Sequence, residues 1–206
     1  MKILNLYAGI GGNRKLWKDV EVTAVEIDPE IAAIYQDFYH EDEVIIADAH
    51  KYLEGHYDDE AWDLIWASPP CPTHSRIRNI AGVGRGQNKP VYPDMRLYQE
   101  IIFLNQIYHT SGVDWHGKWV VENVIPYYQP LIKPSKKLGR HLFWSNFEIP
   151  DMSNIPKSKK EPISKLQSVL GISLDNYEIT VRRKLTLLRN CTHPKIGEHI
   201  LNGAMK

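Results

Sequence analysis

A chain of 206 residues with 43% hydrophobic side chains can bury one full-sized core, and its 24% charged fraction is that of an ordinary globular protein. No apolar run reaches membrane-spanning length, and "MKILNLYAGIGG" turns to glycine too early for the apolar stretch of a signal peptide. Cys71 and Cys191 form no metal-ligand spacing, so the sequence predicts a metal-free, cytoplasmic protein with reduced thiols. The formal net charge of zero hides a split: residues 1–70 hold 5 Lys/Arg against 15 Asp/Glu, and residues 71–206 hold 20 against 10. The basic residues bunch in "SRIRNIAGVGRGQNK", "IKPSKKLGR", "PKSKKEPISK" and "VRRK", the pattern of a half that meets a polyanion.

In chain order, "KILNLYA" reads as a strand that ends in the glycine turn "YAGIGG", expected at a helix amino terminus. "EVTAVEI" is a second strand ending in Glu26, with Asp28 beyond it, and "PEIAAIYQDFYH" is a helix with proline in its first turn. "EVIIAD" brings Asp48 to a third strand end. "WDLIWAS" is a fourth strand, stopped by Pro69 and Pro70, which leave Cys71 on a stiff turn. Residues 72–93 read as a long mobile loop, "PDMRLYQEIIFLNQIYHT" as a helix and "KWVVENV" as a fifth strand carrying Glu122. "KKLGRHLFW" leads into a β-like run, residues 145–180 are polar and punctuated by prolines, and "HPKIGEHIL" closes as a short helix. Strands alternating with helices predict a parallel, doubly wound α/β sheet with its ligands at the strands' carboxyl ends.

Taken one at a time, these residues have plain structural readings. The glycines make a tight turn, Glu26 and Asp48 are helix caps or surface charges, Cys71 is a small buried hydrophobe and Glu122 caps a helix. Three successive strand ends with suitable groups describe more than that. Glycines admit a ligand close to the backbone, Glu26 accepts from ribose hydroxyls and Asp48 accepts from an adenine amino group. The loop lacks the G-x-x-x-x-G-K-[ST] pattern that cradles a triphosphate.

"LYAGIGG", "VEID", "ADAH", "SPPCPTHS" and "VVENV", in this order, resemble the DNA (cytosine-5) methyltransferase family, and "LRNCTHPKIGEHI" is similar to that family's closing Asn-Ala-Val-x-Pro segment. The short chain resembles the compact phage-type members. The resemblance implies an S-adenosyl-L-methionine (SAM)-dependent methyltransferase fold with a minimal appendage. Residues 1–144 would form the catalytic SAM-binding domain, 145–180 a small target-recognition appendage and 181–206 a segment returning to the catalytic domain. It implies that Cys71 is the nucleophile on C6 of a flipped-out cytosine, that Glu122 serves N3 and that Asn123 supports the Glu122 loop. It also implies cofactor contacts from Ala8, Gly9, Gly11, Gly12, Glu26, Ile27, Asp48, Leu97 and Asn190. Ser75, Arg76 and Arg78 would hold DNA as the loop closes.

The sequence departs from the family in two places. Pro72 stands where many members have glutamine, and the Gln-x-Arg-x-Arg segment that meets the base's O2 is not intact. Arg140 is the candidate for that contact, with Arg182 and Arg183 behind it. A recognition segment this short implies either a degenerate target site or help from a partner protein. Double-stranded DNA is the implied substrate. The same chemistry on tRNA is the nearest alternative, and a silent SAM-fold regulator of a partner is another. Amino-group methylation fits less well, since Cys71 stands where such enzymes carry an aromatic residue. Host protection, a restriction system and gene regulation would look alike in this sequence.

Overall fold

The computed structural model describes residues 1–57, 62–75, 91–109, 117–155 and 161–206. Seven strands form one sheet in the order β3-β2-β1-β4-β5-β7-β6. They are β1 (Lys2–Leu6), β2 (Glu21–Glu26), β3 (Glu43–Ile46), β4 (Leu64–Ala67), β5 (Lys118–Val124), β6 (Lys136–Leu138) and β7 (His141–Ser145). The first five run parallel, whereas β7 is antiparallel to both β5 and β6. The helices are α1 (Pro29–Phe38), α2 (Ala49–His56), α3 (Arg96–His109), α4 (Ile163–Leu170), α5 (Val181–Asn190) and α6 (Pro194–Ala204).

The central strands are buried on both faces, which is why they read as continuous apolar runs rather than alternating ones. Leu4, Leu6, Ile65, Ala67 and Val121 face α2 and α3, together with Leu53, Leu97 and Ile101. Ile3, Leu64, Trp66 and Val120 face the other way, onto Ile196, Ile200 and Leu201 of α6. Asn5 shares this second face, and its buried amide oxygen accepts from Asn13 Nδ2 at 2.9 Å. The parallel register sets Val25, Leu6, Ala67 and Val121 level across the sheet. The next residue on each strand therefore opens on the same edge, and the strand order reverses there, between β1 and β4.

Local caps fix where the helices start. Asp28 accepts from the amides of Glu30 and Ile31 at α1, with Pro29 in the first turn, and Asp48 accepts from those of His50 and Lys51 at α2. The expected α-helix after the glycine turn does not form. The chain makes only a three-residue 3-10 helix, Arg14–Leu16, before β2. Asn13 ahead of it makes no side-chain cap hydrogen bond, and its backbone lies close against Gly197 of α6. Residues 163–174, expected within the recognition appendage, pack through Leu170, Ile172 and Leu174 in one cluster with Ile10, Ile34, Leu187 and Leu188. Among the described residues no helix is long and apolar enough to cross a membrane.

Candidate active site

The turn after β1 carries Tyr7, Gly9 and Gly11 at positive φ (57°, 56° and 73°). Its backbone is held by Glu26, whose Oε2 accepts from Gly9 N at 2.9 Å and whose Oε1 accepts from Asp28 N at 3.0 Å. Each carboxylate oxygen keeps a further lone pair for a hydroxyl donor. A Cβ built on Gly9 meets nothing within 4 Å, so open space lies beside this residue. Ile27, next to Glu26, is 62% exposed, an apolar side chain placed where a planar ring could cover it. Asp48 uses Oδ1 for both α2 amides, and among the described residues Oδ2 takes no partner.

Other expected cofactor residues turn inward. Ala8 is buried and its amide donates to Val25 O at 3.0 Å. A Cβ on Gly11 would lie 2.2 Å from the Tyr39 ring, and one on Gly12 would lie 2.5 Å from Cys191 Cβ. These two glycines are needed for packing, with Gly12 seating the loop on the turn between α5 and α6. Leu97 is buried in the core beneath β1 and β4. Asn190 is exposed at the end of α5. The crevice at Gly9, Glu26, Ile27 and Asp48 thus fits an adenosine group. With no α-helix amino terminus behind the glycines, it lacks the usual device for phosphate, which suits a cofactor that has none.

Cys71 lies just beyond β4, and its carbonyl accepts from the amides of His74 and Ser75 at 3.0 and 3.1 Å. Asn123 ties this turn to β5: its Nδ2 donates to Pro69 O at 2.9 Å, and its Oδ1 accepts from Val124 N. Thr73 Oγ1 accepts from Asp94 N, and Ser75 pairs with Pro126 in an isolated bridge. The site therefore stands on three elements that hold one another. Arg76 and Arg78 lie outside the described residues.

Glu122 is buried one step past Val121 on β5. Arg140 sits at the tip of the tight β6–β7 hairpin, where Gly139 supplies the positive φ the turn requires. The antiparallel register lays this hairpin tip beside the carboxyl end of β5, and Ile125 N donates to Arg140 O at 3.1 Å. The Arg140 guanidinium donates to the carbonyls of Arg189 and Cys191 at the end of α5. The charges of Glu122 and Arg140 both act on Cys71. Arg183, the fallback for Arg140, is instead held by Asp28 and Glu30 at the start of α1. Burial first, and then the Glu122 carboxylate, push the Cys71 thiol up to about 11, while Arg140 pulls it down.

Cys71 alkylation by iodoacetamide, followed by peptide mapping without cofactor, is therefore expected to be slow near neutrality and to climb with pH toward 11. Glu122→Gln removes the charge that raises the thiol and should move the rise to lower pH. Arg140→Ala removes the charge that lowers it and should move the rise higher. Unmoved profiles would separate these residues from Cys71.

Several groups at the site escape the sequence reading. His141 lies against Glu122, with its Nε2 3.5 Å from Oε1 and both side chains buried. Tyr7 donates to Glu100 Oε1 at 2.5 Å, and His50 Nδ1 meets the same oxygen at 2.9 Å. Glu100 is fully buried, which raises its carboxyl, and it joins the β1 turn to α2 and α3. His74, also fully buried, contacts Tyr128 Oη through Nδ1 at 2.6 Å. In the sequence, the one pointer to His141 is its position after Arg140. A cavity of about 460 Å³ lined by Ile102, Trp119, Lys133 and Trp144 opens against the starting end of β5, away from Cys71.

The sheet, with its parallel strands, its antiparallel β7 and a crevice at the β1–β4 reversal, has the α/β fold of the SAM-dependent methyltransferases. A mutant of Spodoptera frugiperda DNMT2 has the same fold: TM-score 0.61 at 13% identity, covering 100% of this chain and 99% of that one. The family model described as C-5 cytosine-specific DNA methylase matches residues 1–102. That stretch, which is similar to the family, holds the glycine turn, Glu26, Asp48 and Cys71. Weaker likenesses include a hypothetical protein of Thermus thermophilus (TM-score 0.47, 18% identity, 70% of this chain and 73% of that one). Another is an Escherichia coli prophage-encoded DNA modification methyltransferase described as putative (TM-score 0.45, 15% identity, 81% and 54%). No curated protein matches the sequence. The cofactor of this class is S-adenosyl-L-methionine, and the crevice residues fit it.

Proposed function

We propose that the protein methylates C5 of cytosine in double-stranded DNA through a covalent bond from Cys71 to C6 of a base turned out of the stack. The observation that carries this reading is the meeting of Cys71, Glu122 and Arg140 at one sheet edge, beside the Gly9–Glu26 crevice. Cytosine C5 is a poor nucleophile while the ring is aromatic. The Cys71 thiolate adds to C6, which puts negative charge on the ring and an electron pair within reach of C5. As Cys71 adds, the proton its thiol gives up passes by way of the Glu122 carboxylate to N3, which neutralises that charge. Arg140, already fixed by two carbonyls, directs a remaining N–H at O2. S-adenosyl-L-methionine, held by Gly9, Glu26, Ile27 and Asp48, supplies when bound the electrophilic methyl group that C5 takes. Loss of the C5 proton to water then expels Cys71, and N3 returns its proton to Glu122.

Ser75 continues the anchored turn toward the bound strand, and Arg76 and Arg78 contact phosphates. Residues 145–180 supply what target reading this chain has, over a short, degenerate site or with a partner chain. The protein works in a reducing cytoplasm, where both cysteines stay thiols. Transfer of labelled methyl groups from SAM to duplex DNA and to tRNA, compared under one set of conditions, tests the substrate. DNA is expected to be the better acceptor, and labelling confined to tRNA would overturn the DNA assignment while leaving the chemistry in place.

A further inference from the structure

Glu122 has to present one chosen oxygen to the base, and its carboxylate has a buried polar neighbour on β7. That neighbour is His141, the first residue of β7, whose Nε2 stands 3.5 Å from Glu122 Oε1. The antiparallel register sets His141 opposite Val124 and Phe143 opposite Glu122, so His141 reaches Glu122 diagonally across the strand pair. The imidazole is buried, stands edge-on to Phe143 and, among the described residues, has no partner at Nδ1.

We infer that His141 is a positioning residue for Glu122: its Nε2–H donates to Oε1 and thereby leaves Oε2 as the oxygen that carries the proton to cytosine N3. The inference rests on the role proposed for Glu122. The arrangement selects the tautomer, since an imidazole with no acceptor at Nδ1 places its proton on Nε2, where Oε1 accepts it. The groups that face the ring are Glu122 on β5, Arg140 beside it and Phe143 on its own strand. Burial lowers the His141 pKa and keeps the ring neutral near pH 7, so it donates without adding a second positive charge beside Arg140. The separation is long for a hydrogen bond, as such contacts often are before a substrate arrives.

His141→Leu keeps the volume and removes the donor, whereas His141→Gln restores an N–H that can reach Oε1. Methylation kinetics for both variants, for Glu122→Gln and for the double variant Glu122→Gln/His141→Leu test the inference. Glu122→Gln should lower kcat by about 10²-fold or more. His141→Leu should lower it by about tenfold, with SAM affinity unchanged, and His141→Gln should recover most of the loss. The double variant should be no worse than Glu122→Gln alone, because His141 acts only through Glu122. If His141→Leu fails to bind SAM, His141→Asn, too short to reach Oε1, takes its place in the comparison with His141→Gln. Wild-type rates in the donor-less variant, equal losses in it and in His141→Gln, or a further tenfold loss in the double variant would overturn the inference. Full activity in Glu122→Gln would instead overturn the role of Glu122 itself.

Discussion

Replacing Cys71 by serine is expected to stop methyl transfer, by at least about 10⁴-fold, while SAM affinity and folding stay unchanged; loss of an enzymic nucleophile elsewhere costs up to about 10⁶-fold. Serine keeps the size of the side chain and the turn around it. The carbonyl of residue 71 still accepts from the amides of residues 74 and 75, and Asn123 still holds Pro69. What disappears is the thiol that forms the bond to C6. A hydroxyl gives up its proton far less readily than a thiol, and the surroundings that push the Cys71 thiol up to about 11 would hold back a serine still more. Retention of a tenth of the wild-type rate by Cys71→Ser would remove covalent catalysis from the account. Calorimetric binding of SAM to the variant, with affinity unchanged, separates lost chemistry from a damaged crevice.

Gly12→Ala is expected to act on the fold before it acts on the cofactor. The added methyl group would lie 2.5 Å from Cys191 Cβ and 2.8 Å from the Thr192 carbonyl, and backbone cannot swing aside as a long side chain can. Overpacking of this kind costs about 1–3 kcal/mol, at times more. For a chain of this length that lowers Tm by about 2–12 °C. Gly9→Ala is the informative partner. It meets no neighbour within 4 Å but sits at φ 56°, so its cost is conformational, and its methyl group enters the open space of the crevice. Melting curves with and without SAM should show Gly12→Ala losing stability in both states, and Gly9→Ala losing chiefly the shift that SAM produces. Equal behaviour of the two variants would mean that the glycines share one task.

The contrast between these glycines marks how far the sequence reaches. The five parallel strands, α1, α3 and α6 are visible as apolar runs, helical spacing and proline starts, because each is governed by its own residues. The placement of Cys71, Glu26, Asp48 and Glu122 at strand ends follows directly from those runs. Asn123, expected to support the Glu122 loop, ties the Cys71 turn to β5, a contact the sequence does not announce. The tasks of Gly11 and Gly12 are not visible, since they depend on Tyr39 and on Cys191, the latter far along the chain. Nor is the 3-10 turn that replaces the expected helix. Just ahead of it, Asn13 lies against the backbone of α6 at Gly197, where a Cβ would lie 2.1 Å from Asn13 O, a contact made far along the chain. The helix α2 shows little apolar spacing and is begun by the Asp48 cap. The Arg140 assignment drew on its place before a β-like run. Its grip on the end of α5 comes from contacts that no local pattern encodes. The same holds for His141, which a lone histidine in a strand does not reveal until the register of β5 and β7 is known.

The covalent step is the centre of this account, and trapping it is the most direct measurement. An oligonucleotide duplex with 5-fluorocytosine at its target positions, incubated with SAM, blocks the final elimination because fluorine cannot leave C5 as a proton does. The account predicts a denaturation-resistant protein–DNA adduct that mass spectrometry maps to Cys71 and that Cys71→Ser does not form. Full binding of SAM and efficient methylation of unmodified cytosine by the wild type, with no adduct on fluorinated DNA or RNA, would contradict it.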